Sequence, residues 1–149
     1  MKPIITWILL AGGAHAQVVQ NDGPGKGVSA VKGATWDQYL AKNQEIMADR
    51  PGRSFDRMGD QRHSIEPTSD PKRLQESAFL GEICGYLAEA AREGRFDRLV
   101  LVAEPRALGL LRKQLGSGLK GKLHAELDKD LSKIPVKELP ERLKDIILL

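Results

Sequence analysis

The fold of this 149-residue chain is decided by an apolar stretch near its amino terminus, Ile4-Ile5-Thr6-Trp7-Ile8-Leu9-Leu10. β-Branched, aromatic and leucine side chains follow one another there, which is typical of a central strand covered on both faces. A glycine pair follows as a turn, and residues 14–20 are predicted to return as a second strand. The same stretch imitates a signal peptide, because Lys2 precedes it and Ala14-His15-Ala16 forms an A-x-A cleavage pattern. We interpret it as a strand, and export with cleavage after Ala16 is the alternative.

The rest of the chain alternates strand and helix patterns. A glycine-rich turn leads to a third strand at residues 28–35, and Asp70-Pro71 then begins a helix that runs to Gly94. That helix has an apolar stripe of Leu74, Ala78, Phe79, Ile83, Leu87, Ala90 and Ala91. Cys84 lies beside the stripe, so we expect it to be a small core or boundary residue rather than a nucleophile.

The carboxyl-terminal half begins with a second uninterrupted apolar run, residues 99–103. A helix starting at Pro105 follows, and its stripe contains Leu108, Leu111 and Leu115. The last strand is predicted at residues 122–127, with Leu123, Ala125 and Leu127 on one face. The final helix is short and amphipathic, with Leu139, Leu143, Ile146 and Ile147 on its apolar side and Pro140 in its first turn.

These elements predict an α/β fold in the order βββαβαβα, with a mixed five-stranded sheet and helices packed on it. This is also the order of the ribonuclease H-like fold. We expect one domain over residues 1–149, since the length suits a single core. Residues 43–73 are rich in charge and proline and poor in large apolar side chains, which favours a long mobile loop.

Composition excludes several classes of protein. The single Cys84 excludes an intramolecular disulfide framework and an all-cysteine metal site, in agreement with a reducing compartment. No apolar run approaches the roughly 18 residues of a membrane-spanning helix. His15, His63 and His124 lack the mutual spacing of metal ligands, so we predict no metal and no cofactor. We expect the protein to be cytoplasmic if the amino terminus is a strand.

The positive charge is concentrated in one part of the chain. The formal net charge is only +3, yet residues 105–145 contain ten basic and six acidic side chains. The remainder has thirteen basic and fourteen acidic residues, so the carboxyl-terminal third holds the whole surplus. Solvated lysines are one explanation, and contact with phosphates of a nucleic acid is the other. The candidate phosphate contacts are Arg106, Arg112 and Lys113 near one helix, and Arg53, Arg57, Arg62 and His63 in the loop.

Four segments in this order resemble the bacterial host attachment protein family. They are Gly52-Arg53-Ser54-Phe55-Asp56, Arg62-His63-Ser64-Ile65-Glu66-Pro67, the stretch from Phe96 to Gly109, and Glu126-Leu127-Asp128-Lys129-Asp130-Leu131. That family is regarded as similar to the central domain of archaeal and eukaryotic class I translation release factors. The resemblance implies the ribonuclease H-like topology, a translation-linked role and the ribosome, ribosomal RNA or tRNA as partners.

The resemblance does not extend to the catalytic tripeptide of the release factors. Their Gly-Gly-Gln motif lies in the loop between the third strand and the long helix, and the nearest string here is Gly59-Asp60-Gln61. Asp60 replaces a glycine and would place a negative charge near RNA phosphates. We therefore predict a non-catalytic RNA- or ribosome-associated module. The alternatives are a secreted or surface factor in attachment to host cells, and a hydrolase acting on RNA or peptidyl-tRNA.

A metal-dependent nuclease would need several converging carboxylates. Residues 3–13, which include the first strand, contain none, although that strand is a usual place for one of them. Glu104, Asp128 and Asp130 follow later strands, and a capping or solvated role explains each of them as well. The sequence therefore names no catalytic residue.

Overall fold

A computed structural model of the protein describes residues 2–38 and 71–149. Its strands are β1 (Thr6–Ala11), β2 (His15–Asn21), β3 (Ser29–Asp37), β4 (Arg98–Ala103) and β5 (Leu123–Leu127). They form one sheet in the order β3-β2-β1-β4-β5. β2 is antiparallel to both β1 and β3, whereas β4 is parallel to both β1 and β5. The predicted α/β class with a mixed five-stranded sheet is confirmed.

Two of the described helices are several turns long, and the other helical elements are single turns. The described helices are α1 (Pro71–Arg92), α2 (Pro105–Gln114), α3 (Ser117–Lys120), a 3₁₀ turn (Val136–Glu138) and α4 (Leu139–Arg142). α3 is one turn that the sequence analysis did not predict. The last helix is shorter than predicted, and Pro140 lies in its first turn as expected.

β1 is the central strand and is buried on both faces. Every side chain from Thr6 to Ala11 is at most 1% exposed. β1 pairs with β2 on one side, where Ala11 lies opposite Ala16, and with β4 on the other, where Ala11 lies opposite Ala103. Most of the apolar stretch that imitates a signal peptide is thus the middle of the sheet, although Ile4, which is 48% exposed, and Ile5 precede the strand.

The two faces of the sheet are covered by different parts of the chain. Trp7 and Leu9 of β1 pack in a cluster with side chains of α1, α2 and α3. Ile8 and Leu10 point to the opposite face, where they meet a second cluster supplied by residues 131–149. Because β1, β4 and β5 are parallel, their carboxyl ends lie at one edge of the sheet, which we call the carboxyl edge.

The predicted apolar stripe of α1 is wrong at two positions. Leu74 is 55% exposed and Ala78 is exposed as well, whereas Glu76 is buried. An ideal Cβ atom built on Gly13, which follows β1, would lie 3.7 Å from Oε2 of Glu76. Glu76 therefore lies level with the carboxyl edge, and the turn that carries Leu74 extends past the sheet that it was expected to cover.

The prediction that the three apolar residues of β5 share one face is also wrong. Leu123 packs against the first cluster, whereas Ala125 and Leu127 pack against the second. The pairing of β5 with β4 shifts register between Leu99 and Val100. This irregularity inserts one extra residue in β5. Because side chains alternate between the two faces, a shift of one residue moves those that follow to the opposite face.

Cys84 is a core residue, as predicted: it is 5% exposed, and burial raises the pKa of its thiol to about 11. Since the thiolate is the reactive form, we expect dithionitrobenzoate near pH 8 to label the native protein very slowly. In denaturant the pKa returns to about 8.5 and one thiol per chain should react promptly. Prompt stoichiometric labelling of the native protein would contradict this assignment.

Candidate nucleic-acid interface

A basic cavity lies beside α2 at the carboxyl edge. Its volume is about 360 Å³, and its lining is Arg73, Pro105, Arg106, Gly109, Leu110 and Lys113. We call it the basic cavity. It contains two of the predicted phosphate contacts, Arg106 and Lys113, and adds Arg73 from the first turn of α1.

The position of the cavity follows from the local sequence. β4 ends at Ala103 and α2 begins at Pro105, a residue suited to the first helical position because it has no N–H group to satisfy. Ala107, Leu108 and Leu111 of α2 are buried against the sheet. Residues 106, 109, 110 and 113 recur at helical spacing on another face of α2, and Gly109 leaves room there because it has no side chain.

Arg106 is attached to the protein interior by an ion pair. Its Nε atom lies 3.4 Å from Oε1 of Glu76. The Arg106 side chain is 48% exposed, whereas that of Glu76 is 8% exposed. A guanidinium group has further N–H donors beyond Nε, so this contact does not exhaust its capacity to bind an anion.

Arg112 does not share the cavity. Its Nε and Nη2 atoms donate to Oε1 of Glu126 on β5, at 2.8 and 2.5 Å. Hydrogen bonding and the charge of Glu126 raise the pKa of the Arg112 guanidinium above its usual value. The structure therefore brings Arg106 and Lys113 together and places Arg112 on another side of the helix, next to a carboxylate that balances its charge.

The remaining predicted contacts lie outside the described residues. These are Arg53, Arg57, Arg62 and His63, together with the Gly59-Asp60-Gln61 string. The predicted loop 43–73 also lies there, except for its last three residues, which form the first turn of α1.

A second cavity, of about 430 Å³, lies over the turn between β1 and β2. It is lined by Gly12, Gly13, Ala14, His15, Asp37, Asp130, Ser132 and Lys133. The backbone N–H and the hydroxyl of Ser132 both donate to Oδ1 of Asp130, at 3.0 and 2.6 Å. A Cβ atom on Gly12 would lie 3.0 Å from Oγ of Ser132, so the missing side chain of Gly12 permits this loop to close over β1.

The carboxylates at this edge do not converge as a metal centre. Within residues 2–38 and 71–149, no group of three or more His, Cys, Asp or Glu side chains could hold a metal ion. Nδ1 of His15 lies 3.8 Å from Oδ2 of Asp37, an ion pair when His15 is protonated. Ser132 is 1% exposed and donates its hydroxyl proton to Asp130, which suits a loop-closing contact.

Sequence reasoning missed Glu76 and Arg73 as parts of the site. Both lie near the start of α1, where the sequence pattern indicates only an apolar stripe. The sequence of a helix does not distinguish a buried glutamate from an exposed one, because both can occur at the same helical spacing. Only the position of α1 relative to Gly13 and α2 shows that Glu76 is enclosed.

The fold and the cavity define an α/β protein with a basic site at the carboxyl edge of a mixed sheet. Residues 7–143 match the family described as "Protein required for attachment to host cells", and the chain belongs to this family. The predicted family is thereby confirmed.

One curated relative is an uncharacterised protein of Rickettsia prowazekii (strain Madrid E), 30% identical over 69 residues. The aligned stretch covers 45% of this chain and 46% of the relative, so the match spans less than half of each protein. In the described part of the chain, no helix combines the length and apolar character needed to cross a membrane.

Proposed function

We propose that the protein is a non-catalytic RNA- or ribosome-associated module of the cytoplasm, with the ribosome, ribosomal RNA or tRNA as its partner. The observation that carries the proposal is the basic cavity, where Arg73, Arg106 and Lys113 surround about 360 Å³ of open space. Phosphate contacts of this kind position a protein on RNA without reading its sequence. The surplus of four positive charges in residues 105–145 supports the same partner.

The test is RNA binding by wild type and by a charge-neutralised variant. We expect wild type to bind a fluorescein-labelled single-stranded RNA and to sediment with ribosomes at low salt, and to dissociate from both as salt is raised. Arg106→Gln combined with Lys113→Gln should weaken RNA binding about a hundredfold, since two charge-assisted contacts are lost and each contributes roughly 1.5 kcal/mol. The slope of log affinity against log salt should fall by about 0.7 per lost phosphate contact.

The matched control is Lys26→Gln combined with Lys137→Gln. It removes the same charge from two exposed residues away from α2, in the turn after β2 and in the 3₁₀ turn on the opposite face of the sheet. We expect it to bind RNA nearly as well as wild type. Equal loss in the two double variants would mean that net charge, and not the cavity, determines binding. No binding by wild type to RNA or ribosomes at any salt concentration would refute the proposed function.

Arg112 gives a separate prediction at the same helix. Because Glu126 balances its charge, Arg112→Gln should weaken RNA binding less than Lys113→Gln does. Fluorescence titrations of the two single variants at the same low salt concentration measure the difference. A larger loss for Arg112→Gln would place the RNA on the β5 side of α2.

The family's description favours a second candidate, a role at the cell surface in attachment to host cells. Intact-mass analysis of protein purified from its own cells, with cell fractionation, distinguishes the two. A surface fraction beginning at Gln17 would support export after cleavage, and a cytoplasmic chain beginning at or next to Met1 would support the RNA-binding candidate.

A further inference from the structure

Glu76 is an unusual neighbour for a cavity that binds phosphate. Its side chain is 8% exposed, and its Oε1 atom has no hydrogen-bond partner among the described residues. The Nε atom of Arg106 lies 3.4 Å from that oxygen, as an ion pair rather than a hydrogen bond. Removing a carboxylate from water is costly, and a single ion pair of this length offsets the cost only in part.

The two partners differ in burial and in the surroundings of their side chains. Glu76 belongs to the second turn of a 22-residue helix, and its carboxylate is enclosed near Gly13. Arg106 is half-exposed and lines the cavity. An arginine that is half in water normally samples many rotamers, and ordering it on binding costs conformational entropy. A fixed carboxylate at its Nε atom restricts those rotamers before a ligand arrives.

We infer that Glu76 is a positioning residue: it holds the Arg106 guanidinium with Nε directed inward, so that the terminal nitrogens are presented to a phosphodiester group in the basic cavity. This inference rests on the proposed function and names how the same site recognises its ligand. The two terminal nitrogens of the Arg106 guanidinium would donate to the phosphate together, whereas Lys113 supplies a point charge.

For the effect of Glu76→Gln on RNA affinity, the inference predicts a change in the direction opposite to the one that charge alone predicts. Removing an acidic group beside a phosphate site should strengthen RNA binding if only charge matters. If Glu76 positions Arg106, then Glu76→Gln should weaken binding to the labelled RNA, by about fivefold, because the neutral amide holds the guanidinium less strongly. The salt slope should fall toward that of Arg106→Gln, as a phosphate contact is lost.

The control is Glu82→Gln, which makes the same charge change at an exposed residue of α1. We expect it to bind RNA as tightly as wild type or slightly more tightly. A double-mutant cycle separates positioning from a structural role, because Glu76→Gln should have no further effect once Arg106 is glutamine. Additive losses would overturn the inference, and so would equal or tighter RNA binding by Glu76→Gln alone.

A second variant decides the matter should Glu76→Gln not fold. Arg106→Lys keeps the charge at a half-exposed position but lacks both the Nε group and the fork. The inference predicts a clear loss of RNA affinity, smaller than that of Arg106→Gln because a point charge remains, and retention of wild-type affinity would overturn it. Failure of wild type to bind RNA at all would refute the proposed function instead, so the two failures are distinguishable.

Discussion

A chain that begins at Gln17 is expected not to fold. Removing residues 1–16 deletes β1, which pairs with both β2 and β4 and contributes five apolar side chains that are at most 1% exposed. No strand among the described residues takes its place, because β2 and β4 are not neighbours in the sheet and would have to pair in a new register without the side chains of β1. We expect far-ultraviolet circular dichroism to show the loss of native structure and thermal melting to show no cooperative transition.

The control for this deletion removes only Lys2 and Pro3, which are exposed and precede the sheet. It should retain the thermal transition of wild type. A single substitution tests the same strand more gently: Leu9 is fully buried, and Leu9→Ala should lower the free energy of unfolding by about 2–5 kcal/mol. That loss is a large part of the total stability of an ordinary domain, about 5–15 kcal/mol.

Native circular dichroism and cooperative melting of the chain beginning at Gln17 would contradict the central role of β1. They would also strengthen the exported candidate, since a product cleaved after Ala16 would then be a folded protein. The opposite result means that export with cleavage at that position destroys the sheet. Folding and localisation are thus linked through one strand.

The sequence predicts the central elements because burial on both faces leaves a simple pattern. An unbroken apolar run has few alternatives to a central strand, and β1 and β4 both follow that rule. α1 is predicted by a three-and-four stripe and by Gly94, whose φ of 72° is the left-handed conformation expected just after a helix.

The details that depend on tertiary placement could not be predicted in the same way. The salt bridge of Arg112 joins residues 14 apart and exists because β5 lies beside β4, near α2. A pattern along α2 shows only that Arg106, Arg112 and Lys113 are on its polar side. Which of them faces a cavity, and which faces a carboxylate, is decided by elements that are distant in sequence.

The bulge in β5 is a second detail of this kind. Alternation predicts which residues share a face only while the register is constant. One extra residue after Leu123 moves the following side chains to the other face, so that Ala125 and Leu127 cover the second face of the sheet. The composition of β5 contains no signal for this, because a small alanine between two leucines fits either face.

The carboxyl-terminal segment gives the second large prediction. Leu139 and Leu143 are fully buried in one cluster with Ile8 and Leu10 of β1 and with Val100 and Val102 of β4. The segment contains only one turn of α-helix after its 3₁₀ turn, so intrinsic helix stability contributes little and the packing of its leucines fixes it to the sheet. Leu139→Ala with Leu143→Ala should remove about 4 kcal/mol or more of stability, since each buried leucine contributes at least about 2 kcal/mol.

We expect this double variant to lose cooperative unfolding in urea, followed by tryptophan fluorescence. Of the two tryptophans, Trp7 is the buried one, and it stacks on Phe96 at 4.7 Å between ring centroids. Leu148→Ala is the matched control, because Leu148 lies in the same segment and is 69% exposed. That control should shift the free energy of unfolding by no more than about 0.5 kcal/mol. Equal shifts in the two variants would contradict the packing described for this face, since the argument depends on burial and not on the number of leucines. A large loss in the double variant alone would show that the second face of the sheet, though covered by little regular structure, is as necessary to the fold as the face covered by α1 and α2.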